Sequence, residues 1–240
     1  MKTAKQSHDH SRRKQRDSFQ GNAFRNLLFF LLLYIVGSPF LTPYRSMAVF
    51  AHLSLSVVLF VAIYAVGKHQ KHRPVTIALL LPLLILYWLG IYDLISFSRQ
   101  GAYFLFAIYF GLLVYSYTLQ ISRARKVTVN VLYAAFSLYL IIGLFWGSLY
   151  TLLNELRPGA YSGTLLDTLQ GSPVHIFNYF SFVTLTTLGY GDITPQTPGA
   201  SSLCQMEAIV GQFFTAVIVA WLMGMFISTN QAAGNRKEMK

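Results

Sequence analysis

Residues 187 to 192 read Thr187-Leu188-Gly189-Tyr190-Gly191-Asp192 and lie between a short apolar segment and a long one. Glycine accepts positive φ at no steric cost, so Gly189 and Gly191 let the backbone alternate its handedness. A backbone that alternates in this way points successive carbonyls to one side. Four such strands around an axis give stacked rings of oxygens that can replace the water around a dehydrated potassium ion. The Thr187 hydroxyl supplies the innermost ring, and the carbonyls of Thr187, Leu188, Gly189 and Tyr190 supply the rest. A glycine-rich turn between two helices is the plainer reading, and the neighbouring segments argue against it.

The stretch closely resembles the selectivity filter of the tetrameric potassium channels, Thr-x-Gly-Tyr-Gly, with Leu188 where that family often has Val. The resemblance is to prokaryotic six-span members of the voltage-gated-like superfamily with one pore loop per chain. It implies potassium selectivity through Tyr190, since relatives with Asp in that place conduct both potassium and sodium. It implies bracing of the filter by Tyr179 and Phe180, where Trp-Trp is common. Phe180 cannot donate a hydrogen bond, so Tyr179 is expected to pair with Asp192 while Phe180 only packs; core packing of both is the alternative. Gly211 falls where the family's inner helix has a hinge glycine. Such a glycine costs about 1 kcal/mol relative to Ala and can serve bending or close packing. The resemblance is strong over residues 172–227 and rests on topology alone before them.

The elements that must position this segment are helices in a membrane. The chain of 240 residues is 54% hydrophobic and 11% charged, with mean hydropathy +0.48, against about 25% charged in a soluble domain. Spanning a hydrocarbon core takes roughly 20 helical residues. Six segments qualify: Asn26–Tyr44, Met47–Gly67, Val75–Ser96, Ala102–Ile121, Thr128–Leu153 and Ser202–Ser228. Pro82 is expected to kink the third. Pro173–Thr186 is too short to span and reads as a re-entrant helix, with Ser172 as N-cap and Pro173 at the first position. Its C-terminal carbonyls and negative dipole end would face a cation. The expected fold is an all-α integral membrane protein: a basic tail (1–25), a four-helix unit (26–127), a pore unit (128–230) and a short tail (231–240). The motif occurs once, so a closed ring requires a homotetramer.

On the last span, Thr215, Val219 and Met223 follow Gly211 at four-residue steps and would line an inner cavity. Met223 or Phe226 would narrow its mouth, and Gly224 offers a second flexible point. Glu207 is the one acid well inside an apolar span, where a carboxyl marks a pathway or a pair. It either supports the filter through a hydrogen bond or is a protonated structural acid bonded to a nearby Thr or Gln. Asp93 reads as snorkelling to the interface and His52 as a packed histidine. His175, at the start of the re-entrant helix, is open to a pH-sensing role. His8, His10, His69 and His72 have no metal-site spacing. Cys204 is the only cysteine, so no intrachain disulfide forms.

The net charge of +11 does not point to nucleic acid once its distribution is read. Sixteen of the nineteen Lys and Arg fall in the first 25 residues, in two loops (Lys68, Lys71, Arg73; Arg123, Arg125, Lys126) and at Arg236, Lys237 and Lys240; Arg45, Arg99 and Arg157 take the other side. That bias places both termini in the cytoplasm of a plasma-membrane protein. The N-terminal tail is either solvated and mobile or bound to anionic lipid, at on the order of 1 kcal/mol per basic residue. The basic start followed by Leu27–Val36 fits a signal peptide loosely, but no small-x-small site follows at Gly37-Ser38-Pro39, so the span is expected to be retained. With twelve residues in Thr229–Lys240, no cytoplasmic ligand-binding domain is expected after the last span. No enzyme is expected, and no cofactor beyond K+ as permeant ion. The rival readings are a potassium transporter subunit, which would need four degenerate repeats, and a non-conducting regulatory or sensor protein that retains the loop.

Voltage sensing needs cations along the fourth span, each worth about 2.3 kcal/mol per 100 mV. Ala102–Ile121 holds no Lys or Arg. The conductance of the protein in a planar bilayer is therefore expected to vary only shallowly with voltage, and a conductance–voltage curve as steep as a charged sensor gives would contradict this reading.

Overall fold

In the computed structural model, backbone is described for residues 2–41, 45–67, 70–92, 97–124, 128–168 and 173–238, and side chains within these except at 2–21, 45, 46, 48, 167, 168, 219, 222 and 225–238. The readings of Asp93, Ser172, Lys68, His69, Arg125 and Lys126, and of the Val219 and Phe226 side chains, lie outside the described residues.

The elements run α1 (Lys2–Leu41), α2 (Arg45–Ala65), α3 (Arg73–Ile91), α4 (Ser98–Ser122), α5 (Val129–Leu156), β1 (Tyr161–Ser162), α6 (Thr164–Thr168), α7 (Pro173–Leu185), β2 (Thr194–Pro195) and α8 (Pro198–Glu238). Among the described residues, five helices are long and apolar enough to cross a membrane: Asn22–Leu41, Arg73–Ile91, Ser98–Ser122, Val129–Leu156 and Pro198–Ile218. A sixth apolar stretch, Val49–Ala65, is shorter. Helices suit this setting because they satisfy their own backbone groups where no water can. Pro82 sits inside α3, which runs through it without a break.

Two features were not foreseen in the sequence. The tail, read from sequence as either solvated and mobile or bound to lipid, is helical from Lys2, continuous with the first span. Lys, Arg and Gln are good helix formers, so low hydropathy there does not end the helix. The all-α architecture expected from the sequence fits, with one two-residue ladder added to it. Tyr161 pairs with Pro195 and Ser162 with Thr194 in a two-residue antiparallel ladder, and Gln196 N–H donates to Ala160 C=O at 2.8 Å. This ladder fastens the segment after residue 191 to the end of the α5 loop. Gly163 is needed beside it, because a Cβ there would meet the Asp192 carbonyl.

Helix α5 is the hub, packing against α1, α4, α7 and α8. Its Gly143 and Gly147 lie one turn apart and make the groove that seats α7: a Cβ at either would strike Phe182 or Asn178. Small residues at four-residue spacing let helix backbones approach in this way. The peripheral helices are joined by buried hydroxyls. On α4, Tyr109 donates to the Leu59 carbonyl at 2.5 Å and Tyr117 to the Ala62 carbonyl at 2.7 Å. His52 Nδ1 and the Tyr87 hydroxyl lie 2.6 Å apart, joining α2 to α3, so the expectation of a packed, hydrogen-bonded histidine holds there. Helix α4 opens at Ser98, earlier than the sequence suggests. It thereby takes in Arg99, which pairs at 3.9 Å with Glu155 on α5 at an exposed position.

Candidate functional site

Helix α7 ends at Leu185, and the chain leaves it through a turn at Thr186 and Thr187. The residues after it do not wander. Thr187 N–H donates to Thr184 C=O at 2.9 Å, and both Leu188 and Gly189 N–H groups reach Val183 C=O, at 3.0 and 3.3 Å. The last-turn carbonyls of α7, expected to face a cation, are thus also the tethers of the following strand. That strand has positive φ at Thr187 (60°), Gly189 (56°) and Gly191 (77°), alternating with Leu188 and Tyr190, which do not. The two glycines were legible in the sequence. Thr187 was not, since a β-branched residue seldom takes this conformation. A backbone of alternating handedness turns successive carbonyls the same way. Tyr190 and Leu188 are 66% and 56% exposed, so their side chains lie on the outside of the chain.

Asp192 closes the far end. The Tyr179 hydroxyl donates to its Oδ2 at 2.6 Å, and Oδ1 accepts from Ile193 N–H at 3.1 Å. The pairing expected from the sequence is present. Phe180, the next residue on α7, is buried, with ring centroids 5.1 Å from Tyr150 and 5.7 Å from Tyr161. It contributes packing.

Behind α7, Glu207 is fully buried. It accepts from the Tyr150 hydroxyl on α5 and contacts the Ser181 hydroxyl on α7 at 2.5 Å. Ser181 Oγ is also 2.7 Å from the Gly143 carbonyl. A hydroxyl has one hydrogen and a carbonyl only accepts, so both Ser181 contacts are satisfied together when Glu207 supplies a hydrogen, as a neutral carboxylic acid. Of the two sequence readings, the geometry shows the bonded structural acid, with bonds that reach α5 and α7. Its partners are Ser181 and Tyr150 rather than Thr or Gln.

One turn on, α8 comes so close that a Cβ at Gly211 would strike the Leu185 carbonyl. Of the two reasons for a glycine there, this geometry supplies close packing; α8 is helical through the position. The next residue, Gln212, was not singled out in the sequence. Its Nε2 lies 3.2 Å from Thr187 Oγ1. The available signal was an amide following Gly211 in an otherwise apolar stretch. Thr215 Oγ1 bonds back to the Gly211 and Gln212 carbonyls, at 3.2 and 3.0 Å. Met223 is 55% exposed. His175 Nδ1 lies 3.3 Å from Ser38 Oγ, and its Nε2 is buried without a partner. Among the described residues no cluster of three or more His, Cys, Asp or Glu could hold a metal.

The Glu207 node can be weighed directly. Glu207→Ala takes away the acceptor of the buried Tyr150 hydroxyl, at about 1–3 kcal/mol, while Ser181 keeps the Gly143 carbonyl. Glu207→Gln keeps an acceptor and should cost less. Denaturation of the purified protein in detergent should rank the variants in that order; equal stability of Glu207→Ala and the parent would remove the node from the account.

Residues 126–228, a little under half of the chain, match a family model described as an ion channel. The matched region contains α5, α7, the 187–191 strand and the apolar part of α8, and it supports ion-channel activity. No curated protein matches the chain, and no solved structure does.

Proposed function

We propose that this protein is a potassium-selective channel that conducts K+ passively through a homotetrameric pore. The observation that carries the reading is the alternating backbone of Thr187-Leu188-Gly189-Tyr190-Gly191, tethered to the end of a helix too short to span a membrane. Carbonyls of Thr187, Leu188, Gly189 and Tyr190 stand in for the hydration shell, and ions advance by displacing one another between adjacent sites. The dipole of α7 adds a partial negative charge at that end. Asp192, Tyr179, Phe180 and Glu207 support the strand. Thr215, Val219 and Met223 line the inner cavity, and Gly211 provides any bending of the inner helix.

One strand cannot surround an ion, and α8 is the least buried of the candidate spans, with Phe213, Val217 and Ile209 exposed. Three further copies of the chain would cover such a face. In this reading all of α1–α5 and α8 span the plasma membrane, α2 included, and both termini are cytoplasmic. The basic residues among 1–25 meet anionic lipid. K+ is the permeant ion and no other cofactor takes part. Gating does not use a charged fourth helix, since α4 carries Arg99 at its start and no Lys or Arg from Ala102 to Ile121.

The test is flux of K+ against Na+ into liposomes that contain only the purified protein, with Gly189→Asp as control, because an L residue at φ 56° strains the strand whatever the space. The reading expects K+ flux in excess of Na+, lost in the variant. Tetrameric protein that passes both ions equally would overturn selectivity, and tetrameric protein passing neither under any lipid or pH would overturn conduction. Tyr179→Phe removes the only side-chain donor described on Asp192. Current through this variant should decline during sustained opening, whereas a steady current equal to the parent's would reduce the contact to packing.

A further inference from the structure

Three contacts place α8 in register with α7 and the strand beyond it: Glu207 against Ser181, Gly211 against Leu185, and Gln212 against Thr187. The first two fix the height and closeness of α8, so the Gln212 side chain is delivered to the inner end of the strand by packed backbone. Thr187 holds a left-handed conformation at φ 60°, which is unfavourable for a β-branched residue and persists only where the surroundings enforce it. Its hydroxyl is therefore aimed by a backbone that needs support.

A threonine oxygen has one hydrogen to give and two lone pairs. An amide N–H from Gln212 occupies one lone pair and stops the hydroxyl from rotating freely. The other lone pair is left for a cation. No other polar side chain of this part of α8 can do the same: the Glu207 carboxyl is engaged by Tyr150 and Ser181, and the Thr215 hydroxyl by the Gly211 and Gln212 carbonyls. We propose that Gln212 is a positioning residue for ion selectivity. It holds the Thr187 hydroxyl so that its oxygen meets a dehydrating monovalent cation at a fixed radius, and it does so through Thr187 rather than by touching the ion. This rests on the reading of residues 187–190 as a cation path.

The experiment is a double-mutant cycle on the K+/Na+ flux ratio in liposomes, using the full chain, Gln212→Met, Thr187→Val and the pair combined, with assembly of each checked by size-exclusion chromatography. Gln212→Met keeps the side-chain length without the donor. It should lower the ratio roughly ten-fold, the scale of one lost hydrogen bond, and should lower it no further once Thr187→Val is present. Gln212→Leu, also uncharged and without the donor, serves if the Met variant does not assemble, with the same pattern expected. A selective parent with an unchanged ratio in the Gln212 variants overturns the inference and leaves the channel reading standing. So does an equal drop with and without the Thr187 hydroxyl. A parent with no preference for K+ overturns the reading and this inference with it.

Discussion

A left-handed threonine is the constraint on which the C-terminal half of this chain depends. Thr187 at φ 60° begins the alternation that Gly189 and Gly191 continue. Residues in sparsely populated backbone regions cost of order 1–3 kcal/mol and survive only when neighbours fix them. The neighbours here are specific. Val183 and Thr184 carbonyls hold the amides of Thr187, Leu188 and Gly189 from inside. Tyr179 and Ile193 hold Asp192 at the outer end, and the β1–β2 ladder secures Thr194 and Pro195 just beyond it. Gln212 holds the Thr187 side chain from α8. The strand is thus fixed at both ends while its side chains at 188 and 190 remain unpacked within the chain.

These tethers work only if α7 itself stays put, and α7 is short. It is seated by the Gly143–Gly147 groove of α5 and pinned from behind by Glu207. A buried carboxyl in an apolar body is costly unless its bonds are complete, and completeness here requires α5, α7 and α8 at once. One acid therefore coordinates three elements that apolar packing alone would let slide. The peripheral helices use the same device in a milder form. Asn178 on α7 donates to the Tyr34 hydroxyl on α1 at 3.2 Å, and the tyrosines of α4 cap carbonyls of α2. Interhelical hydrogen bonds of this kind suit a medium where hydrophobic attraction between helices is absent.

The features legible in the sequence were local. The spacing of Gly189 and Gly191, the Pro173 start of α7, its end within a residue of Thr186, and the Tyr179–Asp192 pair all involve neighbours in sequence or a fixed motif register. The hidden features were tertiary or conformational. Nothing in residue type marks Thr187 as left-handed. The partners of Glu207 lie 57 and 26 residues away, so its choice of Tyr150 and Ser181 could not be read from spacing. The β1–β2 ladder joins segments too short to carry an alternating pattern. Gly211 could be read as hinge or contact from sequence, and the contact reason becomes visible only through the nearby Leu185 carbonyl. The helix from Lys2 escaped notice because hydropathy marks the membrane boundary and not the helix boundary.

The central claim is that carbonyls of residues 187–190 from four chains face one axis and hold potassium. Diffraction or electron microscopy of the purified assembly with thallium in place of potassium tests it most directly. The account predicts a fourfold ring with discrete ion density between successive carbonyl planes from Thr187 to Tyr190. An assembly without a fourfold axis along this strand, or one whose carbonyls point away from an ion-free centre, would contradict it.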